Sequence, residues 1–105
     1  MEGIAIKNNN KIMYNDNGVN VIVCVKEDAI FVERSCKDYR LTLHLSIKNI
    51  TQSDYNINGL GQITLQTKTE QLLIEENMIE ASYIVDFGEG ERTRFKFLLK
   101  MEELI

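Results

Sequence analysis

The chain has 105 residues, 44% of them apolar and 27% charged, with no proline, a formal charge of −4 and a pI near 5.0. That length and balance fit one globular domain, 1–105, with a single core that buries somewhat over ~60% of the unfolded surface. A net acidic chain without clustered Lys and Arg is poorly suited to displacing counterions from phosphates, and no run of about 18 apolar residues could span a bilayer, so neither nucleic acid nor membrane is an expected partner.

The first residues, Met1, Glu2, Gly3 and Ile4, lack the basic and apolar regions of a signal peptide. Cys24 and Cys36 then read as free thiols, and the cytoplasm is the expected compartment. The Asn49-Ile50-Thr51 sequon is a chance match in a chain that is not exported.

Along the chain, period-2 segments alternate with turn residues, the pattern of paired strands. Residues 3–7 and 11–14 read as short strands around a turn at 8–10. Asn17-Gly18 is a strong two-residue hairpin signal, because both residues tolerate positive φ. The next strand, 19–26, is apolar on both faces: Val19, Val21, Val23 and Val25 oppose Ile22 and Cys24. This describes a central strand covered on both sides, or one whose outer face meets a partner. After Glu27-Asp28 comes a β-branched run, 29–35, in which Arg34 shares parity with Ile30 and Val32 and is expected to point inward at one end.

Lys37-Asp38 precedes the clearest strand, 40–48, with Leu41, Leu43, Leu45 and Ile47 on one side and Thr42, His44, Ser46 and Lys48 on the other. Residues 49–61 form the one long connection, although they carry Tyr55 and Ile57. Residues 62–68 alternate again, and 72–75 continue that strand past a kink. Beyond Glu76-Asn77, Ile79, Ala81, Tyr83, Val85 and Phe87 share a face of the strand 79–87. A turn at 88–90 leads to 92–101, where Phe95, Phe97, Leu99 and Met101 oppose Arg94, Lys96 and Lys100. Residues 102–105 add one helical turn at most.

The expected fold is therefore all-β. Short connections imply antiparallel neighbours, since a parallel crossover needs a dozen or more residues. Seven or eight such strands form a sandwich or a barrel. The barrel is favoured, because a Greek-key sandwich needs a long crossing loop and only 49–61 offers one.

The motifs Gly3-Ile4-Ala5-Ile6-Lys7 with Lys11-Ile12-Met13-Tyr14, then Ile30-Phe31-Val32-Glu33-Arg34, Tyr55 with Gly61, Thr67-Lys68-Thr69 and Ala81-Ser82-Tyr83 follow one another along nearly the whole chain. In order and spacing they resemble the YwiB-like family of small bacterial β-barrel proteins, grouped with the calycins. The resemblance implies a lipocalin-like antiparallel barrel in a cytoplasmic bacterial protein, and it implies no activity. Family members usually carry a further strand before the segment matched here by residues 3–14, so the barrel is expected to be incomplete, or completed by pairing with a second copy as a homodimer. Where the family has glycine two residues after the arginine, this chain has Cys36.

No catalytic constellation is visible. His44 is the only histidine, and its same-face neighbours Thr42 and Ser46 lie ~6–7 Å away, beyond hydrogen-bond reach. One histidine and two separated cysteines do not make a zinc site. Gly59-Leu60-Gly61 lacks the lysine and helix of a phosphate loop, and the carboxylates Glu75, Glu76, Glu89, Glu91, Glu102 and Glu103 fall at turns or the C-terminus. The expectation is a protein without cofactor, metal or enzymatic activity.

Arg34 reads as a structural arginine closing the barrel end or as an anchor for an anionic head group. Tyr14, Tyr55 and Tyr83 read as core packing or as the lining of a cavity. Two functions follow from this. One is a small apolar or anionic ligand bound in the barrel interior, which bulky inward residues such as Phe31, Phe95, Phe97 and Met101 would oppose. The other is a protein-interaction or structural module acting through an exposed strand edge or the strand 19–26.

Overall fold

The computed structural model describes residues 6–8, 10–88 and 90–100. They form one antiparallel meander of nine strands: β1 (Ile6–Asn8), β2 (Lys11–Asp16), β3 (Val19–Lys26), β4 (Ala29–Ser35), β5 (Tyr39–Ser46), β6 (Thr51–Ile57), β7 (Gly61–Ile74), β8 (Met78–Gly88) and β9 (Glu91–Lys100). Each strand pairs with the next, and among the described residues β1 and β9 do not pair with each other. The sheet curls without closing, giving a half-barrel whose end strands β1 and β9 each have one strand neighbour among the described residues. Met101 and the turn expected at 102–105 lie outside the described residues.

Local chemistry accounts for most boundaries. Asn17 (φ 51°) and Gly18 (φ 87°) both adopt the left-handed conformation, the combination that lets a two-residue hairpin follow the strand twist. The Gly18 N–H also donates to Asn15 Oδ1 at 2.9 Å. Parity then places Ile12, Val21, Val23, Ile30, Val32, Leu43 and Leu45 on the concave face, where they meet Leu65, Ile79, Ala81, Tyr83, Val85 and Leu99 in one core. A strand that is half-buried repeats every second residue, and those residues follow that rule.

Three assignments change. Residues 49–61 are not a long loop: 51–57 make β6, paired in full with β7. Ile47 follows the last residue of β5 and is 49% exposed, while Ser46 turns inward. Phe31 lies on the convex face, stacked on His44 with ring centroids 4.3 Å apart and Lys26 Nζ 5.4 Å above the ring, so it does not fill the interior. The expected kink in β7 is a bulge between Thr69 and Gln71. It sets Thr69 and Leu72, three positions apart, on the same inner side.

The curl is made at β5 and β6. Their backbone ladder runs only from Tyr39↔Ile57 to Thr42↔Asp54. Beyond it, side-chain hydroxyls replace the missing strand partner. The His44 N–H donates to Ser53 Oγ at 3.1 Å, Thr51 Oγ1 donates to the His44 carbonyl, and the Ser46 N–H donates to Thr69 Oγ1 of β7 at 3.1 Å. Ser53 Oγ and Thr67 Oγ1 share a hydrogen bond of 2.8 Å beneath them. Buried backbone groups need partners, and this seam supplies them while letting β5 approach β7 directly.

The outer face of the β7–β9 half carries ion pairs. Arg94 forms two contacts with Glu70, the extra residue of the bulge, at 2.8 and 3.3 Å. Lys96 meets Glu80 at 3.0 Å and Arg92 meets Asp86 at 3.7 Å.

Ser53→Ala leaves the part-buried His44 N–H and Thr67 Oγ1 without their partner and is expected to cost about 1–3 kcal/mol. Gln52→Ala, on the exposed side of the same strand, should stay within about 0.5 kcal/mol. Urea denaturation of the two variants, with m unchanged, checks this.

Candidate functional site

The three sequence-nominated residues Tyr14, Arg34 and Tyr55 stand in one cross-strand row. Tyr14 faces Val21, Val21 faces Arg34, Arg34 faces Leu41 and Leu41 faces Tyr55. The fourth, Tyr83, projects from β8 in the opposite half and is 8% exposed. All four belong to the concave face.

Between the halves, at the Tyr39 end of β5, lies a cleft of about 250 Å³. Its walls are Tyr39, Tyr55, Tyr83, Phe87 and Phe95 with Leu41, Leu43, Leu65 and Val85. No charged side chain lines it. Five of the eight aromatic residues in the chain converge there. Tyr39 and Tyr55 meet edge to face, with centroids 5.8 Å apart and planes at 86°. Tyr83 stacks on Phe95 at 5.7 Å, and Phe87 meets Phe95 at 6.5 Å and 64°. Phe87 and Phe95 are 48% and 39% exposed and form the mouth. Phe95 therefore stands at the rim, leaving the interior open, where an inward, filling residue was expected.

Beside the cleft, Arg34 Nη2 lies 3.5 Å from Asp16 Oδ2. Burial acts to lower the pKa of Arg34, but the neighbouring Tyr39 and Asp16 outweigh it, so Arg34 sits above its ordinary value and stays charged. Its charge reaches both neighbouring phenols. Burial pushes Tyr14 and Tyr83 above their usual range, and Arg34 partly offsets the rise in each.

Tyr39, Phe87 and the aliphatic walls were not singled out as site residues by sequence, and Phe95 was read as filling the interior. For Tyr39 a signal existed, since the parity of Leu41, Leu43 and Leu45 extends back to it. That Phe87 and Tyr39 line the same cleft depends on how the two halves fold together, which no local pattern encodes.

A second cavity, about 340 Å³, lies at the other end of β5 among Asp28, Ile47, Lys48, Leu72 and Ile74. Its two charges already pair with each other, Lys48 Nζ to Asp28 Oδ2 at 2.8 Å. They offer a ligand little, so the aromatic cleft is the better candidate. His44 stacks on the convex face away from both cavities, and among the described residues no group of three His, Cys, Asp or Glu side chains comes together as a metal site. No helix of the described residues is long and apolar enough to cross a membrane. Comparison with known proteins gave no match: no family model, no curated protein and no solved structure matches the chain.

A phenol whose pKa is raised on folding contributes stability that is fully present below its unfolded pKa and is lost as pH rises through the folded value. For Tyr14 and Tyr83 that window opens near the ordinary value of 10.0 and extends upward. Urea midpoints should fall with pH above 10.0, and less steeply in Tyr83→Phe. An equal slope in that variant would show that Tyr83 does not contribute.

Proposed function

We propose that this protein binds one small, largely apolar ligand in the aromatic cleft between the halves of its half-barrel. The observation that carries the reading is the cleft's lining: nine side chains, all aromatic or aliphatic, around about 250 Å³. Small-molecule sites are mostly apolar, with a few convergent polar groups, and span about 300–1,000 Å³. This cleft falls just below that range, so its occupant is one or two rings in size. Arg34 and the hydroxyls of Tyr39, Tyr55 and Tyr83 are the polar groups available beside it. The two free cysteines suit a cytoplasmic setting, and a kinship with YwiB-like barrels is part of the same proposal.

A second reading, an interaction module that accepts a partner's strand, is supported by the edge of β9, ten residues long, which has no strand neighbour other than β8 among the described residues. The cleft is preferred because it converges five aromatic rings on one point.

Naphthalene, followed by methyl NMR shifts, should saturate and perturb Leu41, Leu43, Leu65 and Val85. Leu41→Trp, which fills the wall, should weaken it about tenfold or more. Shifts scattered over the convex face, or the absence of saturation, would remove the cleft as a binding site.

A further inference from the structure

Five aromatic side chains around one cleft suit two opposite ligands, a flat aromatic ring or an organic cation held against ring faces. The groups beside the cleft decide between them. Arg34 lies one strand over from Leu41, a wall of the cleft, on the same face. Its side chain is 29% exposed, so its charge acts in a medium well below the dielectric of water. No carboxylate lines the cleft. The one paired with Arg34, Asp16, approaches from β2, on the far side of the guanidinium from β5. A cation in the cleft would face that guanidinium without a counter-charge of its own.

Tyr39 connects the charge to the cleft. Its ring is a wall, and it lies two residues before Leu41, the residue opposite Arg34, on the same face of β5. A phenol carries one O–H donor, which the Tyr39 hydroxyl can give to a ligand oxygen. A single 3.5 Å contact to Asp16 leaves donors over from the five that a guanidinium carries.

We infer that the ligand is an arene carboxylate, its ring between Tyr39, Tyr55 and Phe95 and its carboxylate received by the Tyr39 hydroxyl and the Arg34 guanidinium. This rests on the apolar-cleft reading and adds the charge and orientation of the occupant. The cleft admits a free small molecule of this class and is too small for a folded peptide. The ring supplies affinity through apolar burial, and the Arg34–Tyr39 pair fixes which end enters.

The test compares three probes that share a ring system: naphthalene, 2-naphthoate and a 2-naphthyl trimethylammonium salt. Binding to the whole protein is measured by NMR and calorimetry. 2-Naphthoate should bind about tenfold or more tighter than naphthalene, since a charged hydrogen bond adds that much, and the ammonium salt should bind weakest. Tyr39→Phe keeps the ring and removes the hydroxyl, and Arg34→Gln removes the charge. Each should weaken 2-naphthoate about tenfold while leaving naphthalene within about twofold. Tyr39→Phe keeps the test valid should Arg34→Gln fail to fold. Naphthalene binding with no advantage for 2-naphthoate, or a preference for the ammonium salt, would overturn the carboxylate assignment and leave the apolar cleft standing. Failure of all three probes would overturn both.

Discussion

The fold depends on a small patch of buried hydroxyls. A meander of nine strands has no intrinsic reason to bend sharply at its middle, because each strand is satisfied by its neighbours. Here the bend is possible because Thr51, Ser53 and Thr69 take over hydrogen bonds that the β5–β6 ladder would otherwise make. Thr67, with no exposed surface, anchors Ser53 from below. Aliphatic residues at these positions would leave the His44 and Ser46 amides without partners, and an unpaired buried amide costs about 1–3 kcal/mol. The seam therefore sets where the sheet curls, at the β5–β6 junction.

The cleft follows from the same arrangement. β6 is a full strand beside β5 at the Tyr39 end, and it yields to hydroxyl contacts at the Ser46 end. The halves close where β5 reaches β7 directly, and Leu45, Ile30, Ile79 and Leu99 pack there with almost no exposed surface. They diverge where β6 stands between them. Aromatic rings occupy the opening because they are large enough to span it in part, and Arg34 with Tyr39 sits at the same end because both share the parity of the inward row.

Most of the fold was legible in the sequence, for a simple reason. Strands such as 19–26 and 40–48 put apolar residues on every second position, and that period survives any tertiary arrangement. The strand at 51–57 was missed because its inward positions begin with Thr51 and Ser53, small polar residues that read as loop. They are polar because they do backbone work, which becomes visible only with β5 alongside. Phe31 was assigned inward on the strength of being large and apolar, whereas its parity matches Glu33, outside, where it finds His44. For the candidate site, Arg34 and Tyr83 were recognisable by parity, whereas Tyr55 was named from a segment read as a connection. Which side chains of β8 and β9 meet Tyr39 and Tyr55 was not legible, because contacts between the two halves depend on the angle of the curl.

The bulge in β7 reaches beyond its own hairpin. By adding one residue it turns Glu70 outward to grip Arg94, and with Glu80 and Asp86 it balances a row of cations along β9. A second copy laid antiparallel on that edge with Lys96 at the dyad would place Lys96 against Lys96 and Arg92 against Lys100. Each acid is already engaged within its own chain and cannot relieve that repulsion. The terminal strand thus discourages fibre-like stacking of identical molecules, and any chain that docks along it would need to carry acidic side chains in the facing register.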